Sequence, residues 1–282
     1  MTEDAYVGLR EAAQLLGVHY MTVYRYVRIG QLPADRIGAT WRVKVEDLER
    51  LRVPDRRPAR SRESQQRRPT WLLDRLVAGD EPGAWRIVEE ALASGTSAAE
   101  IYVDVLVPTL RAIGEQWEGG QLSIAAEHRA SAVTARLIGR LGPMFARRGL
   151  SRGTVVLGAP EGDLHALPSA IVADLLRGQG FDALDLGANT PATSFVECAL
   201  SANRLVAVLV GATSKQSVPR LTQVALSLRS EAVDAPILFG GRAVPSERVA
   251  HKLGADGWTG RDAGAVLLAV EGIAQATRHR GT

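Results

Sequence analysis

The sequence has a single cysteine, Cys198, in 282 residues. One thiol excludes an internal disulfide and any zinc or iron–sulfur site built from clustered cysteines. Long apolar runs are missing as well: none reaches the roughly 18 residues that a membrane-spanning helix needs. The opening MTEDAYVGLR has neither the basic lead nor the apolar core of a targeting peptide. A soluble, cytoplasmic chain with no membrane partner is therefore expected. Neither GxGxxG nor a Walker sequence occurs, so a dinucleotide or P-loop nucleotide site has no support. No nucleophile–base pair or cluster of metal ligands stands out, and an enzyme is not expected.

What the sequence does have is an uneven charge. The formal net charge is +3, yet residues 1–70 carry 14 Arg and Lys against 9 Asp and Glu, while the remaining residues carry 20 against 22. A basic N-terminal quarter on a near-neutral body predicts a polyanion, nucleic acid above all, as the partner of that end. Apolar residues make up 46% and charged residues 23%, as in globular proteins, and the length predicts two or three domains.

The pattern divides the chain into a head at 1–53, a linker at 54–70, a helical zone at 71–150 and an α/β domain at 151–282. The linker, PDRRPARSRESQQRRPT, holds three prolines and six arginines and no large aliphatic residue, and reads as flexible and basic. In the head, LREAAQLLGV spaces its apolar residues for one helix face and ends on Gly17. After a turn at His19-Tyr20, MTVYRYVRIG gives a second short helix ended by Gly30. Two extended pieces about Gly38-Ala39-Thr40 and a closing helix follow, the order of a winged helix-turn-helix.

The second helix places Thr22, Arg25 and Arg28 on one face, opposite Val23 and Val27, for entry into a DNA major groove. Arg36, Arg42 and Lys44 on the hairpin would reach the flanking backbone or minor groove. A protein-docking module with a solvated basic face would use the same residues. The string EAA-x-LLGV…TVYR…G-x-LP…RIG…WR-x…EDLE resembles excisionase/MerR-type DNA-binding domains. That resemblance implies a double-stranded DNA operator and, because such regulators read paired half-sites, a homo-oligomer, either dimer or tetramer.

The helical zone fits four helices, at 70–79, 83–95, 97–117 and 123–148, whose short connections predict a four-helix bundle. Gly119-Gly120 break the third and Ser123 caps the fourth, which brings Trp117, Glu127 and His128 to one end of the bundle. Each has an ordinary structural use: a Trp at a helix end packs, and Glu-His near a helix start answers the helix dipole.

From Gly153 onward β-branched runs alternate with helical stretches. Strands are expected at 154–159, 181–187, 205–212 and 236–241, with a short fifth near Gly257-Trp258-Thr259 and helices at 167–178, 192–202, 217–230 and 245–253. This is the order of a flavodoxin-like doubly wound sheet, which binds ligands beyond the carboxyl ends of its strands. EGDLHAL, GANTP, GATSKQS and GGRA all fall on that edge.

His165 in EGDLHAL, with Asp163 two residues before it, has the composition of a metal ligand and the carboxylate that fixes its tautomer. A surface histidine paired with an acid has the same composition. One imidazole does not hold a bare metal ion, but it can supply an axial ligand to a metal already held by a macrocycle. Gly240-Gly241 would let a bulky ligand tail approach the sheet edge.

Asp163-x-His165 and Gly240-Gly241 resemble the cobalamin-binding domains of methionine synthase and the mutases. The resemblance implies cobalamin as cofactor, with His165 beneath the cobalt, Asp163 bonded to it, Glu161 in the same loop, and the displaced nucleotide tail near Gly240 and Gly241. The Ser-x-Leu element of that family is not evident after the third strand, where Thr213 or Ser214 would serve the tail. Trp117, nine residues, then Glu127-His128 is similar to the CarH-like photoreceptor regulators, and so is the order of head, bundle and α/β domain. That likeness implies a transcriptional regulator and light sensor in which Trp117, Ile124, Glu127 and His128 cover adenosylcobalamin, and in which the cofactor controls oligomerisation and DNA binding. A corrinoid carrier serving a methyltransferase would share the α/β features and leave the head unused. A regulator of the same fold sensing another ligand would keep the head in use and discard cobalamin. Two positions depart from the family: Pro168 stands three residues after His165 in place of glycine, and Glu118 follows Trp117 in place of histidine. Carboxylate suits an upper cobalt position less well than imidazole, which leaves His128 as the bundle's remaining candidate.

Overall fold

The computed structural model describes residues 6–16, 18, 20–28, 32–37, 40–51, 59–147, 149–260 and 262–280. It divides into two compact units, Met1–Val133 and Thr134–Thr282. The division falls inside the last helix of the helical zone.

In the first unit β1 (Tyr6–Gly8) leads into α1 (Leu9–Leu16) and α2 (Tyr20–Arg28), followed by β2 (Asp35–Ile37), β3 (Thr40–Lys44) and α3 (Val45–Leu51). β1 and β2 both pair antiparallel with β3. β1 is an addition to the expected elements, since three residues are too few to display alternation. Leu9, Ala12, Val23, Tyr24, Leu32, Val43 and Leu48 form the small apolar interior. Thr22 departs from the expected groove-facing position: it is only 7% exposed, between buried Met21 and Val23. Gly17, His19, Gly30 and the Gly38-Ala39 turn lie outside the described residues, as do the side chains of Arg25 and Arg28.

The helical zone comprises α4 (Ala59–Ala78), α5 (Glu81–Ala93), α6 (Ala98–Glu100), a π-helical segment (Ile101–Leu106), α7 (Val107–Glu118) and α8 (Ile124–Leu141). α4 overturns much of the expected linker, because the helix already runs from Ala59 and continues through Pro69. Proline's fixed φ is compatible with a helix and removes one bond; the Pro69 oxygen accepts from Thr109 Oγ1 at 3.1 Å. Residues 54–58 lie outside the described residues. Asp80 caps α5 by accepting from the Gly83 N–H, and Ser97 with Glu100 form a capping box at the start of α6. The π-helical segment has a local cause. Pro108 has no N–H to give Asp104 O, and the Val107 N–H reaches back to Tyr102 O instead. α4 packs against α5 and α7. α8 is tied to the end of α4 by Arg129, whose guanidinium donates to Val77 O. α8 stops at Leu141, short of the expected 148, because Pro143 follows; a 3-10 turn spans Gly142–Phe145.

The second unit is built from β4 (Thr154–Gly158), α9 (Leu167–Gly178), β5 (Asp182–Asp185), α10 (Ala192–Ser201), β6 (Leu205–Gly211), α11 (Val218–Ser230), β7 (Ile237–Gly240), α12 (Glu247–Lys252), β8 (Gly257–Trp258) and α13 (Ala263–Arg280). The strands form one parallel sheet in the order β5-β4-β6-β7-β8, the flavodoxin-like arrangement expected. β4 and β7 are buried along their whole length and β6 through its middle, from Ala207 to Val210, as strands covered on both faces must be. α13 is a further element. Its Glu271 pairs with Arg152 at 2.8 Å, and the Arg152 guanidinium lies 4.4 Å from the centre of the Phe181 ring.

Candidate functional site

The carboxyl end of β4 opens into the loop that carries Asp163 and His165. Asp163 is fully buried and His165 is half-exposed. Asp163 Oδ1 lies 2.7 Å from His165 Nδ1 and also accepts the His165 backbone N–H at 3.2 Å. Its other oxygen, Oδ2, accepts from the N–H groups of Thr213 and Ser214 at 2.7 and 3.0 Å and from Ser217 Oγ at 2.9 Å. Burial alone would raise the carboxyl's pKa. The bonds from His165, Ser214, Thr213 and Ser217 overcome that effect and hold it far below the ordinary carboxylate range. An ionised Asp163 can only accept, so His165 Nδ1 carries the proton. Nε2, which has no partner among the described residues, keeps its lone pair on a half-exposed ring. A fixed tautomer with a basic second nitrogen is what an axial metal ligand requires.

A second set of bonds holds the other flank of this loop. Asn189, between β5 and α10, has φ +53°. Its N–H donates to Asp163 O at 2.7 Å, and its side-chain oxygen accepts the Gly162 N–H at 2.8 Å. The next residue, Thr190, forms a parallel bridge with Pro160.

The structure therefore brings Asp163, His165, Thr213 and Ser214 together, although the last two act here through backbone N–H groups. Ser217 and Asn189 were not singled out in the sequence. A serine ahead of a helix reads as an ordinary cap, and an asparagine in a Gly-Ala-Asn-Thr-Pro loop reads as a turn. Their shared position on the ligand edge was the signal available. Glu161 is exposed and faces Arg220 at 4.0 Å. Pro168 lies in the first turn of α9, where a missing N–H costs nothing. Gly240 and Gly241 are required by the chain's own packing. A Cβ at Gly240 would collide with the Thr259 side chain; one at Gly241, where φ is +89°, would collide with the Ala212 backbone.

At the end of the helical zone, Trp117 closes α7 and Ile124 opens α8, with exposures of 45% and 65%. Glu127 Oε2 lies 2.7 Å from His128 Nδ1, and Glu127 Oε1 accepts from Ser131 Oγ. This repeats the carboxylate–imidazole construction of the α/β loop. In the head Arg36 and Arg42 are exposed on adjacent strands. Lys44 lies over the Tyr6 ring, and the Tyr6 hydroxyl donates to Asp35.

Family models described as B12 binding domains match residues 71–141 and 153–268, and one described as a helix-turn-helix domain matches residues 6–52. A trimethylamine corrinoid protein of Methanosarcina acetivorans is 30% identical over 65% of this chain and 86% of its own length. The chain belongs to the corrinoid proteins. A corrinoid protein of Desulfitobacterium hafniense is 27% identical over 70% of this chain and 95% of its own. The solved monomethylamine corrinoid protein of Methanosarcina barkeri shares the fold: its TM-score is 0.62 at 23% identity, over 71% of this chain and 95% of that one.

A corrinoid protein binds cobalamin, and the side chains present fit that cofactor. No group of three or more His, Cys, Asp or Glu suited to a bare metal ion occurs among the described residues. One oriented imidazole does occur, sufficient for a metal whose other positions a macrocycle fills. No described helix is long and apolar enough to cross a membrane. Between the functions expected from the sequence, the curated relatives favour the corrinoid carrier over the light-sensing regulator in the part of the chain they share.

Proposed function

We propose that this corrinoid protein is a non-enzymatic DNA-binding regulator whose cobalamin state sets its assembly and so its affinity for an operator. The observation that carries the proposal is the helix-turn-helix match at 6–52, in one chain with the Asp163–His165 site. The solved corrinoid protein is 95% covered by 71% of this chain, so this chain is longer than a carrier of that size. His165 would hold the cobalt, and Asp163 would fix its tautomer. Thr213 and Ser214 serve the tail side of the site, next to Gly240 and Gly241. The CarH-like resemblance would assign Trp117, Ile124, Glu127 and His128 to the same cofactor. Adenosylcobalamin, when bound, would supply a cobalt–carbon bond that light cleaves. Arg25, Arg28, Arg36, Arg42 and Lys44 contact DNA.

The physical logic is avidity. One small basic head binds DNA weakly, and linking two or four heads raises apparent affinity by about 10²- to 10⁴-fold. A ligand shifts assembly only through different affinity for the assembled and free forms. The test measures DNA binding by fluorescence anisotropy and mass by light scattering, for the full chain without cobalamin, with adenosylcobalamin in the dark, and after illumination. Adenosylcobalamin is expected to raise both, and light to reverse the change. Equal values in all three states would overturn the regulator.

The second reading, a corrinoid carrier for a methyltransferase, draws on the curated relatives. A chain that takes up cobalamin yet shows no DNA binding with or without it is that carrier.

A further inference from the structure

Apart from its chain ends, the His165 loop is fixed from two sides, and only one of them is the carboxylate just described. The Asp163 side chain is anchored to residues 213–217 beyond β6. The Asp163 main chain is anchored to the loop beyond β5, on the opposite flank of β4, by Asn189. Asn189 does this with two groups. Its N–H meets Asp163 O at 2.7 Å, and its side-chain oxygen meets the Gly162 N–H at 2.8 Å. Both residues of this contact have positive φ, +53° at Asn189 and +82° at Gly162. Asparagine adopts that region far more readily than other residues with a side chain. Ahead of them the two loops continue the β4–β5 pairing through Ala159 N–H to Gly187 O and Thr190 N–H to Ala159 O.

We infer that Asn189 is a positioning residue for the cobalt ligand: it fixes the main chain of Asp163 and thereby the height and tilt of His165. The inference rests on His165 as the lower ligand. Asp163 Oδ1 grips both the ring and the backbone N–H of His165, so any shift of the Asp163 backbone is passed to the imidazole. An axial bond tolerates a displacement of only a few tenths of an ångström before it weakens. The carboxylate anchor fixes the direction of His165, and the Asn189 anchor fixes how far the loop extends.

Three variants of the full chain separate the two functions of this side chain. Asn189→Gly keeps the positive φ and loses the acceptor; Asn189→Ala loses the acceptor and strains the backbone; Asn189→Asp keeps both. In the ligand-free protein, amide exchange at Gly162 is expected to speed up about three- to tenfold in Asn189→Gly, more in Asn189→Ala, and little in Asn189→Asp. With methylcobalamin bound at neutral pH, the ratio of His-on to His-off spectra is expected to fall in the same order and by a similar factor. Faster exchange with an unchanged spectral ratio would show that Asn189 orders the loop without governing the ligand, and would overturn the inference. Unchanged exchange would do so as well, since the bond would not protect Gly162. A wild-type spectrum that His165→Ala leaves unaltered would instead remove the His165 assignment itself. Those three failures are distinguishable from one another.

Discussion

Ser217 Oγ lies 2.9 Å from Asp163 Oδ2, although 54 residues separate them. Ser217 is 1% exposed, so no water readily replaces its hydroxyl. Ser217→Ala leaves the two N–H donors in place and removes one hydrogen bond to a charged acceptor, a loss of about 1.5–3 kcal/mol. Titration calorimetry with cobalamin should show weaker binding by about ten- to a hundredfold, with helix content unchanged.

Asp163 gives a prediction in pH. Its carboxyl lies well below the usual carboxylate range. The stability it contributes is therefore complete above the unfolded value of about 3.9 and is lost only as pH falls through the lower, folded value. The melting temperature of Asp163→Asn should lie below that of the wild type from pH 7 to about pH 4. The gap should narrow only in stronger acid. A gap that closes between pH 7 and 5 would contradict the bonding described.

Gly240 and Thr259 should couple. Gly240→Ala places a methyl against the Thr259 hydroxyl, an overpacking that costs about 1–3 kcal/mol. Because Thr259 is 5% exposed and has little room to move, the double variant Gly240→Ala/Thr259→Ala should recover much of that loss in urea denaturation. Gly241→Ala should not be rescued in this way, since its clash is with the Ala212 backbone and its φ is +89°.

The Arg152–Glu271 pair is largely buried, at 14% and 8% side-chain exposure. Glu271→Ala leaves the guanidinium uncompensated beside Phe181, and the α/β unit should lose about 3–5 kcal/mol. Hydrogen exchange in α13 and α9 would report it first.

Arg42→Ala in the head should weaken DNA binding with little regard to sequence and lower the slope of log K against log salt by about 0.9, the share of one phosphate contact. An unchanged slope would remove Arg42 from the interface.

The α/β domain was the most legible part of the sequence, because its buried strands read as short β-branched runs between helices. Asp163-x-His165 was visible for the same reason: it stands directly after one such run. The partners of Asp163 were not, because Thr213, Ser214 and Asn189 act through main-chain groups whose direction depends on the fold. α4 was misread in its first half, since ARSRESQQRR has no apolar stripe and periodicity cannot report a helix without one. Thr22 was misplaced because two-turn helices in so small a head bury more than one face.

The wide turn at Ile101–Leu106 amounts to one residue inserted into an otherwise α-helical rod. Each α-helical residue turns the chain by about 100°. The wide turn takes up that extra rotation, so excising a single residue there would leave an ordinary α-helix with Trp117 still on about the same face. The face that Trp117 occupies is thus kept by a turn some ten residues upstream, beside a proline that could not close an ordinary one.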